Sequence, residues 1–202
     1  MPLDIDKFAE LRPVLYHFTA LPNLEGIRTD GALHCAETLV VNVEPKRRNS
    51  IFSVAFRDRT VIVRDQLPLH RAHVELLGDW TWEKFLSELN ARVFFWPGTR
   101  ERIVPSGQRL ANSYDPNGQA MLRVGLRELL SCNPNHLPYF SRFNSGAPRT
   151  VNGRKSPRGP DTFLAADRWL DLPSTVVEVT FVGTVSLPKT TEFLDRGEWR
   201  KM

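Results

Sequence analysis

The chain has 202 residues, of which 41% are hydrophobic and 25% are charged, so we expect a single domain, over residues 1–202, that buries one core. No apolar stretch approaches the roughly 18 residues of a membrane-spanning helix, and the N-terminus lacks the apolar run of a signal peptide, so we expect a cytoplasmic protein with no membrane partner. The formal net charge of +4 and the sequence pI of about 9.3 favour polyanionic partners.

Short strands and helices alternate in the first half of the sequence. Strands are predicted at LYHFT (15–19), KRRNSIFSVAF (46–56) and RTVIVRDQ (59–66), and helices at 22–30, 67–77 and 81–90. The first helix has Leu24 and Ile27 three residues apart and ends at Gly31, a residue type that caps helices. The helix at 81–90 is the clearest, because Thr81 can cap it and its apolar residues lie on one face.

The second half is richer in strands. Strands are predicted at RVFFWPG (92–98), AMLRV (120–124) and STVVEVTFVGTV (174–185), and helices at RELLS (127–131) and PKTTEFLDRGEW (188–199). Because the elements are short and the strands outnumber the helices late in the chain, we expect an α+β domain built around small mixed or antiparallel sheets.

Several common kinds of site have no support in the sequence. There is no G-x-G-x-x-G after a strand, no Walker loop and no G-x-S-x-G, which argues against nucleotide-binding Rossmann and P-loop enzymes and against serine hydrolases. Cys35 and Cys132 are far apart and predict buried free thiols. His70 and His73 favour a solvated pair over a metal site, because their spacing is not i, i+4 and no third ligand is indicated.

Glu178 lies in an apolar strand and has two possible explanations. Val179 and Phe181 alternate on one face of the predicted strand, and Glu178 shares the other face with Thr180. That second face can be wet, in which case Glu178 is a surface carboxylate. Alternatively, a strand is a rigid support on which to hold a general base.

The order of these motifs resembles the ADP-ribosyltransferase superfamily, nearest to the DarT-type nucleic-acid ADP-ribosyltransferase toxins. The matching stretches are LYHFT with the helix and glycine after it, the arginine-led strand that follows, VFFW, and VVEVTFVGTV. In that family the first strand carries a Tyr-His-x-Thr-like stretch and the last strand carries a glutamate among apolar residues. The segment RDQLPL…LNARVFFWPG is also similar to uncharacterised bacterial domains thought to share the fold. The resemblance spans 15–187 and implies an ADP-ribosyltransferase-like split β-sheet sandwich with short flanking helices.

The resemblance implies NAD as co-substrate, no metal, and a role for each matching residue. The implied NAD-binding residues are His17, Phe18, Thr19, Arg47, Arg48 and Phe95, and the implied catalytic residues are Glu178 and Arg48. His17 would contact the adenine-side ribose, and the backbone of Phe18 would hold the nicotinamide amide. Arg47 or Arg48 would neutralise the pyrophosphate, and Phe95 would lie against the nicotinamide ring. The aromatic residues of VFFW are equally explained as plain core.

The segment 142–158, which we call the basic loop, has five basic residues and no acidic one. Its candidate acceptor-binding residues are Arg142, Asn144, Arg149, Arg154, Lys155 and Arg158. With Tyr139, Phe140 and Phe143 available to stack a base, the basic loop can follow a nucleic-acid backbone. The alternative is a mobile loop kept in solvent by its charge. The loop differs from the toxins' substrate loops, so the resemblance does not supply the acceptor.

The sequence therefore predicts an NAD-dependent ADP-ribosyltransferase that modifies a nucleobase in DNA or RNA. Such an enzyme would be a bacterial toxin or phage-defence effector, with a possible antitoxin partner. Two alternatives stay open. One is a non-catalytic nucleic-acid-binding domain on a degenerate transferase fold, and the other is a transferase directed at protein side chains.

Overall fold

The structure is a computed structural model that describes residues 1–40, 46–113, 115 and 118–202. Its helices are α1 (Ile5–Leu11), α2 (Leu24–Asp30), α3 (Ala36–Leu39), α4 (Trp82–Asn90), α5 (Pro105–Asn112) and α6 (Leu126–Cys132). Its strands are β1 (Val14–Ala20), β2 (Ala32–His34), β3 (Phe52–Phe56), β4 (Arg59–Val63), β5 (Val74–Leu76), β6 (Arg92–Gly98), β7 (Gln119–Gly125), β8 (Tyr139–Ser141), β9 (Ser156–Arg158), β10 (Leu164–Ala165), β11 (Glu178–Val182), β12 (Thr184–Ser186), β13 (Glu192–Asp195) and β14 (Glu198–Lys201). None of the helices in the described part of the chain is long and apolar enough to cross a membrane.

Eight strands form one antiparallel sheet in the order β10-β8-β11-β6-β1-β7-β13-β14. The predicted α+β class is therefore confirmed. The hairpin of β3 and β4 and the pair β2–β12 form separate two-stranded ladders, and β5 pairs with β9 in parallel.

The large sheet splits between β1 and β6. The two strands pair from Val14–Gly98 to Tyr16–Trp96 and then part, although β1 continues to Ala20. Within the described residues, 17–20 pair only with β7, and residues 92–95 of β6 pair only with β11. A short ladder thus joins two half-sheets that diverge at His17.

The two faces of the sheet are covered differently. One face carries the main core, in which Phe95, Val179 and Phe181 pack with residues of α1 and α6. On the opposite face the cover is divided in two. Phe85 and its neighbours in α4 cover the half-sheet of β6 and β11, whereas α5 and the last hairpin cover the half-sheet of β1 and β7. A gap between these two covers is left above the split.

Most of the local predictions are confirmed, because local periodicity determines these elements. The strand at 15–19, the short helix ending at Gly31, the hairpin around residue 57 and the helix at 81–90 are all present. Gly31 has a φ of 58°, as a left-handed cap requires. Thr81 Oγ1 accepts a hydrogen bond from the Lys84 N–H at 3.1 Å, which makes it the N-cap of α4.

Two predicted helices are wrong. Residues 67–77 contain only a single helical turn at Arg71–His73 followed by β5, so His70 and His73 do not lie on a helix. Residues 188–199 contain β13 and the first half of β14, joined by a turn with positive φ at Arg196 and Gly197. In both cases pairing with a distant strand overrides a local pattern that fits a helix.

Two further features differ from expectation. No element was predicted between the strands at 92–98 and 120–124, where α5 lies. Cys35 is buried as predicted, whereas Cys132 is exposed at the end of α6.

Candidate active site

A cleft of about 560 Å³ opens above the split in the sheet. Its walls come from the end of β1, from β6 and α5, from the segment that follows β4, and from the first part of the basic loop. Both His17 and Glu178 line it. The cleft thus brings together two residues that are 161 positions apart in the sequence and that were predicted to act on one substrate.

Glu178 is a buried carboxylate at the start of β11, with 1% of its surface exposed. Thr180, on the same strand face, is fully buried as well. The alternative of a wet second face is therefore wrong, because α4 and its neighbours cover it. Burial raises the pKa of Glu178 from its ordinary 4.5 to about 7, against hydrogen bonds from Ser145 and the charge of Arg158, which lower it.

Ser145 holds the Glu178 carboxylate. Its backbone N–H donates to both carboxylate oxygens, Oε1 at 3.1 Å and Oε2 at 3.2 Å, and its hydroxyl donates to Oε2. Ser145 is itself fully buried in the basic loop. Ser145 was not predicted as a site residue, because its only signal in the sequence is that of a small polar residue between Asn144 and Gly146.

His17 bridges the split. Its Nδ1 lies 2.9 Å from the carbonyl oxygen of Phe94, and because a carbonyl only accepts, Nδ1 carries the proton. Burial lowers the pKa of His17 from 6.5 to about 4, and the charge of Arg64 adds to this effect. The imidazole is therefore neutral at pH 7, with Nε2 able to accept a hydrogen bond.

The end of β1 offers polar groups beside His17. Phe18 and Thr19 both line the cleft, and the edge of β1 that faces the split has no strand partner among the described residues beyond Tyr16. Asn23, which sequence analysis missed, donates to Thr19 Oγ1 at 3.1 Å and exchanges hydrogen bonds with the backbone of Ile62. It fixes the β3–β4 hairpin against this end of the cleft.

Arg48 lines the cleft, whereas Arg47 is turned away from it. Arg48 Nε donates to the carbonyl of Arg64 at 2.9 Å, and its Nη1 donates to Asn90 Oδ1. Burial lowers the pKa of Arg48, but a guanidinium of this kind stays charged at neutral pH. Arg47 is bound to the carbonyls of Gln66 and Leu67 instead. Of the two arginines that the sequence left open, Arg48 is the one in the cleft.

The aromatic prediction falls on the wrong face of β6. Phe95 is fully buried in the main core, where its ring lies 5.9 Å from that of Phe181. Its neighbours Phe94 and Trp96 point the other way and line the cleft. Because successive strand residues alternate between faces, the predicted role of Phe95 against a ligand ring is wrong, and Phe94 and Trp96 are the aromatic residues of β6 that line the cleft.

Positive charge dominates the cleft. Its arginines are Arg48, Arg64, Arg92, Arg109 and Arg149, and its acidic residues are Asp65 and Glu178. Arg109 is contributed by α5, the helix that the sequence did not predict. A cleft with this balance attracts anionic ligands.

The predicted acceptor-binding residues of the basic loop lie in different surroundings. Asn144 and Arg149 line the cleft. Arg142 is paired with Asp171 and lies over the Trp169 ring, and Arg158 is buried with 1% of its surface exposed. The prediction that Arg158 binds an acceptor is contradicted by its burial. Arg142, whose side chain is 38% exposed, lies outside the cleft in a surface ion pair.

The tip of the basic loop is a tight turn with exposed cations. Asn152 and Gly153 both have positive φ, 49° and 74°, and Val151 pairs with Arg154 across them. Together with Arg149, the exposed Arg154 and Lys155 line a shallow surface concavity, and none of the three forms an ion pair with a described residue. Arg149 lines both this concavity and the cleft.

Groups of three or more potential metal ligands are absent from the described residues. The rings of His70 and His73 lie 5.8 Å apart, and His73 Nδ1 is 2.8 Å from Thr150 Oγ1. His73 therefore connects the turn before β5 to the basic loop.

Comparison with known protein families matches residues 13–191 to DUF7002, a family of unknown function. The matched span contains the whole of β1, the split in the sheet and every residue of the candidate site from His17 to Glu178. No curated protein matches the sequence.

Proposed function

Since the chain belongs to the DUF7002 family, whose function is unknown, we propose an activity from the cleft itself: an NAD-dependent ADP-ribosyltransferase that modifies a nucleobase in DNA or RNA. The observation that carries the proposal is the meeting of His17 and Glu178 in one arginine-lined cleft above a split sheet. The split also supports an ADP-ribosyltransferase-like arrangement of the fold, in which the co-substrate lies between two half-sheets.

The residues of the cleft fit NAD. A volume of about 560 Å³ lies within the roughly 300–1,000 Å³ of ligand-binding pockets. The excess of arginines over carboxylates among the lining residues suits a pyrophosphate. The resemblance left this role to Arg47 or Arg48, and of the two Arg48 lines the cleft. Neutral His17 can accept a hydrogen bond from a ribose hydroxyl, and the free edge of β1 at Phe18 can pair with a carboxamide.

Glu178 has the properties of a catalytic carboxylate. Transfer breaks the bond between the ribose carbon and the nicotinamide nitrogen, and the bonding electron pair leaves with nicotinamide. Positive charge develops on the ribose carbon, and a fixed carboxylate stabilises it. The acceptor nitrogen or oxygen then forms the new bond and gives its proton to Glu178. A pKa of about 7 is well matched to a general base at neutral pH.

The tip of the basic loop supports a nucleic-acid acceptor. Arg154 and Lys155 are exposed beside Arg149, which connects them to the cleft. Phosphates bound along these cations would lead an adjacent base towards Glu178. Arg158 is buried and has no part in this acceptor site.

In a cell, the proposed role of this enzyme is that of a toxin or phage-defence effector, with an antitoxin as a possible partner. Expression of the native protein should then arrest bacterial growth, and expression of Glu178→Gln should not. Growth arrest by the variant would favour a domain that acts by binding nucleic acid alone.

The proposal is tested by incubating the protein with NAD labelled in the adenylate phosphate and, separately, single-stranded DNA, RNA and cell protein. We expect label to enter nucleic acid with the native protein and not with Glu178→Gln. Label in protein alone would contradict the nucleobase acceptor. No transfer to any acceptor, together with salt-sensitive nucleic-acid binding, would contradict the enzyme.

A further inference from the structure

We infer that Arg158 is a positioning residue, which fixes the segment that holds Glu178 and makes no contact with the acceptor. This inference rests on the proposed role of Glu178. The place of Arg158 in a basic loop indicates instead a contact with a nucleic-acid acceptor.

Arg158 is anchored from several directions. Its Nη1 donates to Ser156 Oγ at 2.7 Å and to the carbonyl of Pro157 at 2.8 Å. The guanidinium lies 4.5 Å from the centre of the Phe143 ring and 6.0 Å from that of Phe85 in α4. Its backbone carbonyl accepts from the Leu77 N–H at 2.8 Å. A side chain packed in this way cannot reach a ligand in solvent.

The remaining hydrogen bond of Arg158 leads to the candidate active site. Nη2 donates to the carbonyl oxygen of Asn144 at 3.1 Å. The next residue is Ser145, whose N–H and hydroxyl both bind the Glu178 carboxylate. The peptide unit that joins Asn144 to Ser145 is thus held by Arg158 on its carbonyl side and by Glu178 on its N–H side.

Arg158 also acts on Glu178 through its charge. The two groups form no direct ion pair. The positive charge of Arg158 nevertheless lowers the pKa of Glu178, and the negative charge of Glu178 raises the pKa of Arg158. Burial outweighs this attraction and brings the pKa of Arg158 down to about 10, so the guanidinium remains protonated at pH 7.

Other charged and titratable groups line the same cleft as Glu178. They are His17 from β1, His34 from β2 and Cys35 after it, Arg48, Arg64 and Asp65 around β4, Arg92 from β6, Arg109 from α5 and Arg149 from the basic loop. Arg158 is the one whose charge lowers the pKa of Glu178. The basic loop therefore has two ends with different tasks: cations exposed at its tip, and a buried cation at its base that supports the carboxylate.

The test compares Arg158→Lys and Ser145→Ala with Arg142→Lys as the matched control in the same loop. The Glu178 carboxyl is titrated by carbon NMR in protein labelled at glutamate, with its signal identified from Glu178→Gln. Transfer from NAD is measured over the same pH range. Lysine keeps the charge of Arg158, but its single nitrogen cannot reproduce the fork in which Nη1 binds Ser156 and Pro157 while Nη2 binds Asn144. Alanine at position 145 removes the hydroxyl bond to Glu178 directly.

We expect both variants to move the titration of Glu178 above its native midpoint. Ser145→Ala loses the hydroxyl bond that lowers this pKa, and Arg158→Lys frees the Asn144 carbonyl and so loosens the peptide unit whose N–H binds Glu178. Transfer at pH 7 should fall at least tenfold, and Ser145→Thr should restore both values towards native. Arg142→Lys should move neither. An unchanged midpoint in Arg158→Lys, with only a lower melting temperature, would overturn the inference even if Ser145→Ala shifts the titration.

The failure of this inference differs from failure of the proposed function. If the variants shift the titration but the native protein transfers nothing from NAD, the positioning role stands and the transferase is wrong. If the native protein is active and the variants match it at every pH, the transferase stands and the positioning role is wrong.

Discussion

At the scale of single residues, Glu178 combines burial with access to a cleft. Apolar neighbours on β11 and the cover provided by α4 remove it from water, while Ser145 satisfies its oxygens. A buried carboxylate of this kind destabilises the fold when it is ionised. The presence of Glu178 in an apolar strand is therefore better explained by a chemical role than by a contribution to the stability of the fold.

The free energy lost when the buried Glu178 carboxyl group ionises gives a prediction for the pH dependence of unfolding. The folded state binds a proton at Glu178 more tightly than the unfolded state does, since the pKa rises from 4.5 to about 7 on folding. The native protein should therefore lose stability from this group as pH rises from about 5 to 8, by up to roughly 3 kcal/mol. Glu178→Gln lacks this titration, so denaturant unfolding should show its stability rising relative to native over the same range. A difference that stays constant with pH would contradict the assigned pKa.

Phe94 and Phe95 provide a second test at the residue scale. Phe95→Ala removes a fully buried core ring and should lower the free energy of unfolding by about 3–5 kcal/mol. Phe94→Ala alters a cleft wall, so it should weaken NAD binding, measured by calorimetry, with a smaller loss of stability. If Phe95→Ala mainly weakened NAD binding and Phe94→Ala mainly lowered the free energy of unfolding, Phe95 would be the residue that faces the ligand.

At the scale of secondary-structure elements, prediction from sequence succeeded where local pattern decides. The helix at 81–90 has its own cap and apolar face, and the strand at 15–19 leads into a helix with a glycine cap. The strands β5 and β13 pair with the distant strands β9 and β7, which a local pattern does not contain, and β14 then pairs with β13 across a turn. The same distinction applies to the candidate site. His17 and Glu178 could be predicted as site residues from the sequence, whereas the burial of Arg158 could not, because it depends on packing against α4.

The helix α5 depends on a close approach to β6. A Cβ added at Gly107 would lie 2.4 Å from Ile103 Cγ2 and 2.7 Å from Trp96 Cβ, closer than atoms pack. Despite the higher helix propensity of alanine, Gly107→Ala should destabilise the protein by about 1–2 kcal/mol in denaturant unfolding. Gly146→Ala, which meets nothing within 4 Å, should change stability by less than about 0.5 kcal/mol. Equal stability of the two variants would show that α5 is not held this tightly.

The two parts of the basic loop can be separated by salt dependence. Arg154→Gln with Lys155→Gln removes two exposed cations at the tip, so the slope of log affinity for single-stranded nucleic acid against log salt should fall by about 1.4. Arg142→Gln removes a cation already paired with Asp171 and should change the slope much less. Equal slopes for the native and double-variant proteins would exclude the tip as the contact.

At the scale of the whole molecule, the split sheet connects the fold to the proposed chemistry. The short ladder between β1 and β6 fixes the two half-sheets relative to each other, and their divergence places His17 and Glu178 around one cleft. The covers on either side, α4 and α5, leave that cleft open to solvent. The proposed co-substrate therefore lies where the two halves of the molecule meet.

The most direct test of this account is the release of nicotinamide from NAD, in the presence of single-stranded nucleic acid, by the native protein and by Glu178→Gln as pH is varied. We predict a native rate that rises through a midpoint near the Glu178 pKa of about 7, and a variant rate lower by about 100-fold or more with no such midpoint. No release by the native protein at any pH, or equal release by the variant, would contradict the central claim that Glu178 is the catalytic carboxylate of an NAD-dependent transferase.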